Sequence, residues 1–240
     1  MPESMLTVFS MWGRKLLCCA AFAGNGAAWA APWTQSDGGI YLRGAYASET
    51  LNGVEADRAD AYGEYGLSQD WTVTGKVEAV AYEGPDSILD SESYRLTARR
   101  ALWRHEGWVA GAEVGALYGA TAAGVFGCNA AGGEARLSGG YSGQRKGRSF
   151  YAFADVAVLA YEDGCRRDRV ELGYGSQLSG RVHLSQQLWL EQGNESATSY
   201  KYETMLSYHF DKFQLSGGYR EEFGSAFDES AWVIAVTVRR

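Results

Sequence analysis

Apolar and polar residues alternate along most of the chain. In one stretch Trp71, Val73, Gly75, Val77, Ala79 and Ala81 fall on one side, and Thr72, Thr74, Lys76, Glu78, Val80 and Tyr82 on the other. A period of two sends successive side chains to opposite faces of a strand. The pattern recurs to the C-terminus and predicts about twelve strands, over 39–48, 58–68, 71–83, 92–103, 107–119, 132–142, 148–161, 167–178, 181–191, 198–210, 213–222 and 229–239. No helical period, linker or low-complexity tract interrupts them, so 39–240 reads as one all-β domain. Soluble strands are usually about 5–6 residues long, whereas a tilted strand needs about 9–11 to cross a bilayer.

The connections add a second pattern. Those after even-numbered strands are short, at 68–70, 104–106, 143–147, 178–181 and 211–212. Those after odd-numbered strands are mostly longer, at 49–57, 84–91, 120–131 and 192–197, although the one near 162–165 is short. Short periplasmic turns alternating with longer outer loops are the mark of outer-membrane barrels. The expected fold is a closed antiparallel up-and-down transmembrane β-barrel of about twelve strands, both termini at the periplasmic end. Closure satisfies every strand edge without water.

The apolar side would face lipid. It carries Leu42, Tyr65, Trp71, Val77, Leu96, Trp108, Val114, Leu137, Val156, Leu172, Leu206, Trp232 and Ile234, with aromatic residues gathered near strand ends. Interfacial aromatic girdles have this distribution. The other side supplies the expected lumen-lining set: Arg43, Glu64, Lys76, Glu78, Arg95, Arg99, Glu113, Arg136, Asp155, Arg169, Glu171, Glu191, Lys201, Glu203 and Arg220. Asp60 and Glu134 share that phase. A soluble sandwich would show the same alternation with its polar face outside. Strand length and an apolar side rich in Ala, Gly and Tyr favour the membrane.

Composition narrows the partners. Gly 31, Tyr 15 and Trp 8 against Pro 3 suit strands joined by tight turns. Mean hydropathy is -0.27, and no window of about 18 apolar residues predicts a spanning helix. A net charge of -7 and a pI near 5.1 argue against a nucleic-acid partner. The expected partners are outer-membrane lipid and small solutes, with the oligomeric state open.

Residues 1–30 read as an export signal, with translation starting at Met11. Arg14 and Lys15 precede an apolar core, and Ala28-Trp29-Ala30 fits a cleavage site before Ala31. A short segment, 31–38, then leads into the barrel. Cleavage would remove Arg14, Lys15 and Glu3, making the net charge one unit more negative, and would remove Cys18 and Cys19. Cys128 and Cys165 would remain, in connections two strands apart and so at the same outer end. A disulfide between them is expected in an oxidising compartment.

The chain resembles bacterial outer-membrane β-barrel proteins over 39–240. "YGEYGLSQDWTVTGKVE", at 62–78, resembles the strand-turn-strand hairpins of porin-like families, including the phenol-degradation MetA-type transporters. The resemblance implies a transport role. One departure is the end of the chain. Such barrels typically finish on an aromatic residue, whereas Trp232, Ile234, Val236 and Val238 are followed here by Arg239-Arg240.

Candidate chemistry is sparse. His183, Ser185 and Asn194 echo the His-x-Ser and Asn of outer-membrane phospholipases. A nucleophile and base must meet within hydrogen-bond reach, but Asn194 is expected in an outer loop, far from His183. No catalytic residue is assigned. The acidic runs at 86–92 and 162–164 read as solvated loops, 122–127 makes no phosphate loop, and no cofactor or metal is expected. The predicted function is a narrow channel or transporter for small solutes. The alternatives are a structural or adhesion barrel with a plugged lumen, and a lipid hydrolase. Small residues at Gly66, Gly111, Gly115, Ser138, Gly140, Gly173, Gly175, Ser216 and Gly218 are expected to leave free volume inside. Cross-strand pairs Glu113 with Arg95 and Arg99, Arg136 with Asp155, Arg169 with Glu191, and Glu203 with Arg220 are expected to give a mixed-charge wall with little ion selectivity.

Overall fold

A computed structural model of the chain describes residues 32–83, 90–119, 128–194, 198–224 and 228–240. The expected export signal (1–30) and the glycines at 122–127 lie outside them. Twelve strands follow one another: β1 (Ile40–Leu51), β2 (Val54–Gly66), β3 (Trp71–Tyr82), β4 (Ser91–His105), β5 (Trp108–Gly119), β6 (Ala131–Arg145), β7 (Arg148–Tyr161), β8 (Arg166–Ser179), β9 (Val182–Gly193), β10 (Ser199–His209), β11 (Phe213–Gly224) and β12 (Asp228–Arg239). Each pairs antiparallel with its neighbours in sequence, and β1 pairs with β12, so the sheet closes with no free edge. Beyond β12, Arg240 exchanges both backbone hydrogen bonds with Ile40, at 2.8 and 2.9 Å. The terminal Arg-Arg thus completes the seam, and the Arg239 guanidinium lies 5.1 Å over the Tyr41 ring.

The predicted alternation of short turns and long loops fails at its first member. Residues 49–57 are not a loop. Glu49 to Leu51 and Val54 to Asp57 are paired strand, joined by Asn52-Gly53 alone. Both turn residues are left-handed, with φ of 49° and 87°. This is the geometry of a type I′ hairpin turn, which Asn-Gly favours because Asn tolerates and Gly accepts positive φ. Glu106-Gly107 and Lys146-Gly147, at the opposite end of the barrel, have the same signs of φ.

The exterior is apolar. Leu42, Val77, Leu96, Val114, Leu137, Val156, Leu206 and Ile234 are exposed around the ring. Tyr94, Tyr118, Tyr200 and Phe223 project near the loop end, and Tyr65, Trp103, Trp108, Tyr208 and Phe213 near the turn end. Leaving this much apolar surface uncovered is costly in water and favourable in lipid. The register shifts between Ala101 and Trp103 and between Gln177 and Ser179. At the first, Leu102 and Trp103 are exposed in succession, which strict alternation would not place there. Bulges of this kind are common at barrel rims.

Candidate solute path through the barrel

The strands turn every second side chain inward, many of them charged or polar, and the closed wall removes most of these from bulk water. Buried charge is tolerated only when it is paired and hydrogen-bonded. Three arginines meet that requirement by serving several carboxylates each. Arg58 on β2 bonds Glu49 on β1 at 2.6 Å, Glu229 on β12 at 3.1 Å, and Glu78 on β3. Arg136 on β6 bonds Glu134 at 2.6 Å, Asp155 on β7 at 2.6 Å and Glu171 on β8 at 3.2 Å. Arg99 on β4 bonds Glu113 at 2.7 Å and Glu64 at 3.1 Å, and donates to the Trp33 carbonyl at 3.0 Å. The five-donor guanidinium fork can engage several acceptors at once.

Smaller pairs complete the wall. They are Arg43 with Asp60 at 3.2 Å, Arg220 with Glu203 at 2.8 Å, Arg95 with Glu134 at 3.1 Å, Lys76 with Glu78, and Lys201 with Glu222. Arg167 and Arg169 both bond Glu191. Each residue of the expected set lies in an ion pair. The expected Arg136–Asp155, Arg169–Glu191 and Glu203–Arg220 pairs are present. Glu113 pairs with Arg99 and not also with Arg95, which reaches instead to Glu134, two strands away.

Sequence reasoning passed over Arg58, Glu49, Glu229, Arg167 and Glu222. Glu49 falls in the expected loop 49–57, and Arg58 begins an expected strand that in the structure starts four residues earlier. The readable signal was Asn52-Gly53, which would have carried the alternation through both. Arg167 shares a face with Arg169 and Glu171, and its phase was legible.

The two ends of the interior differ. Toward the loops, residues from β2 to β12 surround a cavity of about 190 Å³, lined by eight basic and eight acidic side chains and by Trp189 and Tyr161. Toward the turns, the N-terminal segment enters the barrel. Pro32 is fully buried. The Trp33 ring packs edge-on against Tyr151 and Phe153, with centroids 5.9 and 6.3 Å away. The Gln35 amide donates to Thr72 Oγ1 at 2.8 Å, the Gln35 side chain bonds Glu64, and Thr34 donates to the Gln69 carbonyl at 2.7 Å.

The inward glycines therefore do not supply the expected free volume. A Cβ on Gly140 would stand 2.8 Å from Pro32 and Trp33 atoms, and one on Gly66 would stand 1.9 Å from the Ser36 carbonyl oxygen. The Tyr151 and Phe153 rings lie over Gly175 and Gly173, their direct partners on β8. These positions are small because something else occupies the space.

His183 and Asn194 do not come together. The His183 and His209 rings lie tilted against each other near the turn end, centroids 4.2 Å apart. Asn194 donates to the Gly164 carbonyl at the loop end, eleven residues along and so roughly 35 Å from His183 at about 3.3 Å per residue. Asp163 accepts the Cys165 backbone N–H at 3.0 Å, and Asp90 that of Tyr82 at 2.8 Å. Among the described residues, no group of three or more His, Cys, Asp or Glu is placed to hold a metal ion. Cys128 and Cys165 are buried and joined in a disulfide, with Cα atoms 5.6 Å apart. It ties the β5–β6 connection to the β7–β8 turn.

Closed antiparallel sheet, lipid-type exterior and paired charges inside define the class, an outer-membrane-type β-barrel. Solved structures with the same fold include the NanC porin, at a TM-score of 0.59 and 13% identity over 83% of this chain and 98% of that one. An outer membrane channel from Pseudomonas putida F1 gives 0.56 and 13%, over 87% and 97%. The KdgM porin, also solved in complex with disordered oligogalacturonate, gives 0.54 and 9%, over 82% and 98%. No family model and no curated relative matches the chain.

Proposed function

We propose that the protein is a bacterial outer-membrane channel for small polar solutes, kept narrow by its own N-terminal segment. The observation that carries the reading is the contrast across the wall, apolar outside and charged inside, with a charge-lined cavity at the loop end. A purely structural barrel needs no such cavity. The fold shared with porins and channels supports the reading, and the MetA-type likeness of 62–78 is consistent with it. Export through the signal at 1–30, with cleavage between Ala30 and Ala31, would deliver the chain to the outer membrane. The disulfide suits an oxidising compartment.

A second reading, a plugged structural barrel, is favoured by the buried Pro32 and the partly buried Trp33. Conductance of the purified, refolded protein in a planar bilayer separates the two. Discrete current steps with the full chain support the channel. Silence from both the full chain and a variant lacking residues 32–36 supports the structural barrel.

A further inference from the structure

The cavity wall is balanced in formal charge but not in what it presents. Lys76, Arg95, Arg167, Arg169 and Lys201 keep 19%, 15%, 12%, 21% and 24% of their side-chain surface exposed. Their carboxylate partners Glu78, Glu134, Glu191 and Glu222 keep 9%, 0%, 12% and 8%. In all but the Arg167–Glu191 pair the cationic side chain is the more exposed partner. Cations more exposed than their carboxylate partners favour an anion in the enclosed space, and low-dielectric walls strengthen that interaction.

One region goes further. Arg167 and Arg169 are two residues apart on β8, point inward together, and share the single carboxylate of Glu191. The Nε–H groups of both are buried with no hydrogen-bond partner among the described residues. Two guanidinium forks thus have more donors than Glu191 can satisfy. Lys201 lines the same cavity from β10, and Trp189, between Glu171 and Lys201 in the sheet register, adds a flat apolar face. Arg95 and Lys76 approach from β4 and β3, on the far side of the ring.

We propose that this vestibule is a binding site for polycarboxylate anions, seated on Arg167, Arg169 and Lys201, with Trp189 favouring those built on a planar ring. Carboxylates match the guanidinium fork bidentately and satisfy the surplus donors. The proposal names the solute class of the channel reading and rests on it for the route by which a solute arrives. It also replaces the weak ion selectivity expected from charge balance with a preference for anions.

The test is calorimetric titration of the refolded full chain in detergent with citrate, with benzene-1,3,5-tricarboxylate, and with neutral glycerol as control. Both tricarboxylates should bind, glycerol should not, and raising salt should weaken both. Trp189→Ala should weaken the ring compound more than citrate. The double change Arg167→Gln and Arg169→Gln should weaken both roughly tenfold or more. Arg169→Lys, which keeps the charge and loses the fork, guards against a folding artefact and should fall between. Absence of binding to the unaltered protein, or equal binding by the double variant with unchanged gel mobility, overturns the site. Because calorimetry needs no current, a silent bilayer with intact binding would remove only the channel reading. Conductance without binding or anion preference would remove only this inference.

Discussion

The loop-end and turn-end halves of the interior are built on the same alternating strands, yet they neutralise their polar side chains differently. At the loop end the charges of the wall are paired mostly with one another. Arg58 holds carboxylates from β1, β3 and β12, Arg136 holds one from its own strand and two from β7 and β8, and the arrangement encloses a cavity. At the turn end the wall is completed by chain that is not part of it. Arg99 needs the Trp33 carbonyl as well as Glu113 and Glu64, Thr72 accepts from the Gln35 backbone, and Tyr151 and Phe153 pack on Trp33. A charge network can line a space, whereas a strand lined with Gly and Thr at these positions makes room for a segment. The two halves should therefore respond differently to mutation.

The largest effect is expected at the loop-end network. Arg136→Met leaves Glu134, Asp155 and Glu171 without their shared cation, and stranding buried charge costs about 3–5 kcal/mol. Urea titration of the folded-to-unfolded gel shift should show a barrel that opens at much lower urea. An unchanged midpoint would mean that water already solvates those carboxylates and the network is not a structural unit. Next comes the tie across the loop end. Replacing Cys128 and Cys165 by Ser should lower stability by about 3–4 kcal/mol in the chain-entropy model. The same loss should follow reduction of the unaltered protein, and mass spectrometry should find no free thiol at either position before it.

Glu113→Gln probes the boundary between the halves. Arg99 keeps Glu64 and the Trp33 carbonyl, so the expected loss is about 2 kcal/mol, the worth of one hydrogen bond to a charged group. A loss as large as that for Arg136→Met would show that the N-terminal segment contributes nothing to holding Arg99. The smallest effect is expected at the rim of the loop end, outside the charge network. Gly53→Ala meets no atom within 4 Å but sits at φ 87°, so backbone strain alone should cost about 1 kcal/mol.

Much of the wall was readable from alternation. The outward phase of every strand follows from residues such as Leu96, Val114 and Ile234, because one face must meet lipid and a shift of one residue would invert it. Cross-strand charge pairs such as Arg169–Glu191 follow from phase and turn length together. What was not readable has physical causes. Arg95 reaches Glu134 two strands away, a contact set by barrel curvature and a long side chain, not by adjacency. Leu102 and Leu178 fall at bulges that interrupt the period. The occupied lumen was invisible because Gly140 and Gly66 look alike in sequence whether they leave a void or seat Trp33 and Ser36. The hairpin at Asn52-Gly53 was legible and was outweighed by an expectation of long outer loops.

The central claim is that the N-terminal segment, rather than the charged wall, sets the bore at the turn end. Single-channel conductance of the full chain should be compared with that of Trp33→Ala and of a variant lacking residues 32–36, each first shown to migrate as a folded barrel. Small steps from the full chain that rise with Trp33→Ala and rise further with the deletion are the predicted result. Identical conductance in all three folded proteins would contradict it and place the constriction in the charged layer above.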